Sequence, residues 1–523
     1  MGGFPLPLCP DSSPQPGPAM FRVLGNARTL CDRISRRDLL RVGGLGLAGL
    51  GLTDLLRFQD AAASTVVPRP RSFGRAKSII LLHLYGAPSQ IEFVDPKPNA
   101  PVEIRGELGS IPSTLPGCDV CELLPNFAKV MDRTTVLRSV THPYPLHGVA
   151  FALTGVPAID APMELSPRDT RHWPFFGSVV DYVESGREKA AGAPLPSRRV
   201  PNNIALPFRF SSHRVGEVPR AGPYASFLGN EYDPIWTDFV GQATKGLPKT
   251  LQQQRFDEND PYIGLSPDSH FVVPSATSLQ AEITLDRLNS RRTLLEQLDQ
   301  ARRDLASSSG GRQFDRYRQM TYGLLESDDL RSALDVRHEN DATRDMYGRT
   351  LFGQACLAAR RLVEAGSRIV TVFWDEYGLA GSGWDTHWNH YPRMRQELCP
   401  GLDLAWYGLI TDLDRRGLLD DTLVVCTSEH GRTPHIANVE GGGRDHWSRV
   451  YSTLMAGGGV ARGCVVGASD KHGGDVADHP ISPKDMLATM YHLLGIDHTM
   501  IVHDAQGRPL PLVHGEVISA ALA

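Results

Sequence analysis

Long apolar runs are scarce in this chain. The longest, residues 42–56, holds fifteen positions and is interrupted by Thr53 and Asp54, short of the roughly 20 residues that a helix needs to span a bilayer. Cysteine is equally thin, at eight in 523 residues, which argues against a disulfide-stapled scaffold. Cys118-Asp119-Val120-Cys121 has the spacing of a redox or zinc pair, but no second such pair accompanies it. A local disulfide or plain buried thiols are the expectation there. A charge excess of one sign is lacking too: 54 Lys and Arg face 59 Asp and Glu, a formal net charge of −5. Nothing in that balance points to a nucleic-acid partner. No internal repeat is visible, and low complexity is confined to Ser307-Ser308-Ser309-Gly310-Gly311, which reads as a helix-to-helix linker.

What is present starts with an ordinary globular composition, 41% hydrophobic and 22% charged, with material for a large core and roughly two or three domains. Ser35-Arg36-Arg37-Asp38-Leu39-Leu40-Arg41 resembles a twin-arginine export signature, the apolar stretch follows it, and Ala61-Ala62-Ala63 supplies small residues for cleavage. The reading is a leader over 1–63, a linker over 64–75, and a mature chain without a transmembrane segment. Its partner during export is the twin-arginine translocase, and its destination is periplasmic or extracellular. That route carries chains already folded, which suits a protein whose metal is loaded beforehand.

Residues 77–85 (KSIILLHLY) form a nearly continuous apolar run ending at Gly86-Ala87-Pro88, the pattern of a buried parallel strand feeding a loop. Residues 368–374 and 422–427 repeat it, separated by a helical stretch at 398–416. A helix is expected at 122–131, a strand at 135–140 and a helix start at 148–154. This alternation predicts an α/β fold: a mostly parallel sheet with helices on both faces, within one domain over 76–523. Residues 190–275 are rich in Pro, Gly and Asn, whereas 278–305 and 313–325 carry charges at helical spacing. A loop-rich and helical insert over 190–345 is the reading.

Three acid–histidine groups carry the chemistry. Asp385 and His387 stand two apart in the loop after strand 368–374, with His390 three further on; Glu429-His430 leaves strand 422–427; Asp445-His446 follows a Gly-rich turn. Carboxylate with imidazole suits Zn, Mn or Fe, and carboxylate-rich sets suit Mg or Ca. The alternative for the first group is a Trp-rich loop whose histidines cap backbone carbonyls, and a lone Glu-His pair by itself reads as structural. Together they converge, because parallel strands deliver their carboxyl ends to one side. Arg432 and Arg444 lie beside these pairs, where guanidinium forks suit phosphate or sulfate oxygens, or else neutralise Glu429 and Asp445 internally. His147, at a helix opening, offers an imidazole beside backbone N–H groups that suit an anion, or else serves a structural loop. Ser89 ends the first strand as a weaker nucleophile candidate.

Six motifs taken in order, LLHLYGAPSQIEFVDPKPNAP at 81–101, IRGELGSI at 104–111, ELLPNFAKVMDRTTVLRSVTH at 122–142, WDTHWNHY at 384–391, TSEHGRTP at 427–434 and GRDHW at 443–447, resemble the DUF1501 family, twin-arginine leader included. The insert matches least. That family is similar to the alkaline phosphatase and sulfatase superfamily, so the resemblance implies an alkaline-phosphatase-like fold and metal-dependent hydrolysis of phosphate or sulfate esters. TSEHG is similar to the sulfatase TSDHG, which puts Glu429 and His430 where an Asp–His metal pair would stand. Asp385 with His387 or His390 resembles an Asp-x-x-x-His pair at altered spacing, and His446 resembles the last metal histidine. Family members typically carry Phe at the position of His430.

The departures are as informative. Sulfatases carry Cys or Ser, in C/S-x-P-S-R, just before a Leu-Thr-Gly segment. Here Leu153-Thr154-Gly155 follows Pro145-Leu146-His147-Gly148-Val149, with no Cys, Ser or Thr at the nucleophile position. The first strand ends in Tyr85-Gly86-Ala87, where sulfatases place metal-binding aspartates. The resemblance therefore implies attack on an anionic small-molecule or glycan ester by metal-activated water, without formylglycine. One or two divalent cations (Zn, Ca, Mg or Mn) would be held by Asp385, His387, His390, Glu429, His430 and His446. Arg432 or Arg444 would stabilise the equatorial oxygens, and His147 would serve as acid to the leaving group. The alternative is a catalytically degenerate member that binds an anionic glycan or a periplasmic partner protein.

Overall fold

The computed structural model describes residues 70–523, apart from 145–146, 157–160, 168, 170, 193–199, 217–219, 252–253, 275–326, 379–382 and 505. The leader, its cleavage site and the helices expected at 278–305 and 313–325 lie outside the described residues. The elements that build the sheet and its cover are β1 Ser78–Leu84, β2 Thr134–Val140, α1 Val149–Thr154, α2 Phe176–Ala190, β3 Asn203–Leu206, β4 Ile235–Trp236, α3 Leu351–Glu364, β5 Ile369–Trp374, α4 Cys399–Arg415, β6 Thr422–Thr427, β7 Tyr451–Ala456, β8 Cys464–Val466 and α5 Pro483–Leu493. They form one eight-stranded sheet in the order β8-β2-β7-β6-β1-β5-β3-β4. Only β7 runs against its neighbours, so the sheet is mostly parallel.

The continuous apolar runs are explained by cover on both sides. Ile80, Leu82 and Leu84 enter one buried cluster with Leu357, Leu402 and Trp406 of α3 and α4. Ile79 and Leu81 alternate into a second, with Val179 of α2 and Leu487 of α5. A strand whose successive residues are all buried cannot show polar alternation. Helix entries are fixed by side chains: Thr350 accepts from Gly353 N at the start of α3, and Ser482 with Asp485 makes a reciprocal box at the start of α5.

Two expectations are revised. The segment 190–345 is not wholly an insert, because β3 and β4 extend the main sheet beside β5. With four and two residues, flanked by Pro201, Pro207 and Pro234, they are too short to leave a periodic trace. The helix expected at 122–131 is a 3-10 helix, Phe127–Arg133. Pro125 disfavours helical backbone at the residue before it, and the helix begins after it, where Asp403 of α4 accepts from Asn126 N at 2.8 Å and Phe127 N at 2.7 Å. Cys118 and Cys121 are free, buried thiols. No helix among the described residues is long and apolar enough to cross a membrane.

Asp403→Ala strands those N–H donors and should lower stability by roughly 2–4 kcal/mol, and Asp403→Asn by less. Thermal unfolding followed by circular dichroism checks this; equal losses for the two variants would show that the cap is not what the carboxylate supplies.

Candidate active site at the carboxyl ends of the strands

β1, β5 and β6 are mutually parallel, and β2 runs with them across the reversed β7. Four strands therefore end on one side of the sheet, and the chain that leaves them gathers there. β1 ends in Tyr85-Gly86-Ala87, β2 leads through His142 to His147, β5 leads to Asp385 and His387, and β6 leads to Glu429, His430 and Arg432. The short strand Gly431–Arg432 pairs antiparallel with His446–Trp447 and sets Arg432 opposite His446.

The side chains converge closely. Asp385 Oδ1 lies 3.1 Å from His387 Nε2 and 3.3 Å from His446 Nε2, and those two ring nitrogens are 3.1 Å apart. His147 bridges two carboxylates, with Nε2 3.4 Å from Asp385 Oδ2 and Nδ1 3.1 Å from Glu429 Oε1. His446 packs 4.2 Å from the ring of His147 and 4.5 Å from that of His430. Among the described residues, two sets of donor atoms each fall within 4.8 Å of one another: His147, His430 and His446 in one, Asp385, His387 and His446 in the other. His446 belongs to both. Asp445 is the outer partner of His387, 2.7 Å from its Nδ1.

Glu429 belongs to neither set. It is fully buried and held by Gly86 N at 2.7 Å and His147 Nδ1, with His83 Nε2 3.4 Å from its other oxygen. Its backbone carbonyl accepts from His142 Nε2 at 2.7 Å. A carboxylate on the far nitrogen of a histidine fixes tautomer and ring plane, and that is how Glu429 stands toward His147. Burial opposes charge on Glu429, yet the bond from His147 and the nearby His83 and His430 rings hold its pKa well below the usual range. Burial likewise disfavours charge on His147, but its bonds to Asp385 and Glu429 prevail and raise its pKa to about 9.

His430 is the sharpest indication of a ligand. Its Nδ1 donates to Gly431 O at 2.8 Å, and its buried Nε2 has no hydrogen-bond partner. Burial holds its pKa well below that of free imidazole. A neutral ring with an unoccupied lone pair, beside two more imidazoles, is the donor set of a divalent transition metal, zinc above all.

His390, Arg432 and Arg444 stand elsewhere than the sequence suggested. His390 is outside both sets: Nδ1 is 2.8 Å from Thr386 Oγ1 and Nε2 is 3.5 Å from Glu92 Oε2, with the ring wholly buried. Arg444 is fully buried against Glu92 and also donates to Thr433 O and Ile104 O. Its guanidinium and His390 share Glu92 beneath the site, held at a pKa of about 2 against burial by Arg444 and His390. Arg432 is buried too, bonded to Asp385 Oδ1 at 2.5 Å and to the carbonyls of Gly86, Ala87 and Arg444. Both arginines form internal ion pairs, but with Asp385 and Glu92 in place of Glu429 and Asp445. Sequence reasoning passed over His83, His142 and Glu92. His83 was findable, as the one ionisable side chain inside the apolar run of β1.

The fold and cluster define an α/β protein with an imidazole–carboxylate cluster at its strand ends. The chain is a member of the family described as "Protein of unknown function (DUF1501)", which matches residues 76–522. No curated protein matches it. Among solved structures, Ps i-CgsB is 12% identical over 81% of this chain and 72% of its own, with a TM-score of 0.37. PsFucS1 sulfatase from Pseudoalteromonas sp. is 10% identical over 81% and 68%, with a TM-score of 0.33. Phosphonate monoester hydrolase SpPMH from Silicibacter pomeroyi is 12% identical over 85% and 77%, with a TM-score of 0.29. Likenesses of this size leave the function to be argued from the side chains.

Gly86 has φ +93°, and a Cβ there would lie 2.3 Å from Asp385 N. Gly86→Ala should therefore separate the β1 turn from the Asp385 loop and cost roughly 2 kcal/mol or more. The same thermal unfolding assay checks it, an unchanged midpoint being the contrary result.

Glu164 borders the site through Arg220, 3.8 Å away, whose guanidinium lies 4.8 Å over the Tyr85 ring that stacks on His147. Burial raises its pKa to about 7. A carboxyl that keeps its proton when folded but loses it when unfolded destabilises the fold as pH climbs from about 4.5 to 7, by on the order of 3 kcal/mol. Glu164→Gln should gain stability relative to the parent across that window and level off above it. A difference that stays constant from pH 5 to 8 would remove Glu164 from the account.

Proposed function

We propose that this protein is an exported, metal-dependent hydrolase of phosphate or sulfate esters, with an anionic small molecule or glycan as substrate, and that its leader engages the twin-arginine translocase. The observation that carries the reading is the orphaned, buried Nε2 of His430 among imidazoles and carboxylates drawn from the ends of β2, β5 and β6 and from the short hairpin that holds His446. His147, His430 and His446, or Asp385, His387 and His446, are the residues that would hold a divalent ion. Such an ion supplies Lewis acidity toward an ester oxygen and lowers the pKa of water.

The chain's own groups arrange the rest. Glu429 fixes His147, Asp445 fixes His387, and the Gly431 carbonyl fixes His430, so each imidazole is turned before a ligand arrives. His147 is part-exposed at 16% and is placed either as a third ligand or as proton donor to a leaving oxygen. The attacking group in this reading is water, since no Cys, Ser or Thr stands in the run Pro145-Leu146-His147-Gly148-Val149 before Leu153-Thr154-Gly155. Arg432 contributes charge through Asp385, because burial keeps its guanidinium from substrate.

Protein purified without chelator should contain bound divalent metal and turn over an aryl phosphate or an aryl sulfate. His430→Ala should lose the metal and lower turnover by roughly 100-fold or more. Metal-free protein would overturn the reading; metal without turnover of either ester would favour an anion-binding role in its place.

A further inference from the structure

Resting on that reading, we infer that the centre takes a single divalent ion, held by His147, His430 and His446, and that Arg432 is a resident cation filling the place of a second. Arg432 Nη2 is 2.5 Å from Asp385 Oδ1, the same oxygen that faces His387 Nε2 and His446 Nε2. The oxygen that a cation at Asp385, His387 and His446 would need is thus already paired with a guanidinium. Arg432 cannot swing aside cheaply, since it is fully buried and three backbone carbonyls accept from it: Gly86, Ala87 and Arg444. Its own backbone is fastened as well, with N donating to Gln90 Oε1 at 3.1 Å and O accepting from Gln90 Nε2 at 2.9 Å.

Charge gives the same answer independently. Asp385 and Glu429 bring two negative charges to the buried centre, and Arg432 offsets one. One divalent ion then leaves a net charge of about +1, suited to an anionic ester, whereas two would leave about +3 among largely buried groups. The end of β1 adds no carboxylate: it presents the carbonyls of Gly86 and Ala87, and Arg432 occupies both. Of the two donor sets, the three-histidine one contains the orphaned His430 nitrogen and contains no carboxylate committed to Arg432. His147 would then be a ligand through Nε2, giving up the proton it holds toward Asp385 while Nδ1 keeps its bond to Glu429, and the leaving-group proton comes from solvent.

Zinc alone is the probe. Full-length protein stripped of metal is titrated with Zn2+ by calorimetry and assayed by mass spectrometry after dialysis, with folding followed by circular dichroism. The parent should retain one equivalent per chain, and His430→Ala should lose it. Arg432→Met should admit a second equivalent or bind the first about tenfold more tightly, whereas Arg432→Lys, which keeps the charge, should behave like the parent. Two equivalents in the parent would overturn the inference alone, and so would a folded Arg432→Met that matches the parent in both respects. No zinc at all in the parent would overturn the metal reading beneath it. Should Arg432→Met fail to fold, the parent count together with Arg432→Lys still decides.

Discussion

Asp385 is the carboxylate on which the centre turns. Its oxygens face His147, His387, His446 and Arg432, which reach it from four separate segments. Burial alone would push its proton affinity up, yet Arg432 and the three imidazoles hold it well below the ordinary carboxylate range. A permanently charged Asp385 explains why so many basic groups tolerate one another in so little space. Each would repel its neighbours without that shared counter-charge.

A second buried layer keeps the first in register. Glu92 lies between Arg444 and His390, tying the β1 loop to the loops that carry Asp385 and His446. Glu429 ties β6 to the turn after β1 and to His147. Groups that looked like ligands or substrate clamps in the sequence are thus largely fasteners. The distinction is one of exposure: a guanidinium wholly enclosed by protein carbonyls has nothing left to offer an ester.

The sheet was legible at 77–85, 135–140, 368–374 and 422–427, because continuous burial writes a largely apolar run; β7, equally buried, was passed over, since Ser452 and Thr453 interrupt its apolar run. β3, β4 and β8 were not legible, since two to four residues carry no period. The convergence of Asp385, His387, His430 and His446 followed from parallel strand direction. Their roles did not follow, because pairing depends on reach across the sheet and not on spacing. Glu429 sits beside His430 in the chain yet bonds to Gly86 and His147; Arg444 sits beside Asp445 yet answers Glu92. An ionisable residue inside a buried strand, as His83 is, deserves suspicion on physical grounds that a motif search does not supply.

The sharing of His446 between both donor sets carries a consequence for biogenesis. It is the last of these groups to be synthesised, and His147 must wait for it across some 300 residues of chain. A product truncated before His446 lacks the closing imidazole and also β7, through which β2 joins the rest of the sheet. Any ion bound through His446 would add its free energy of binding only to the folded state.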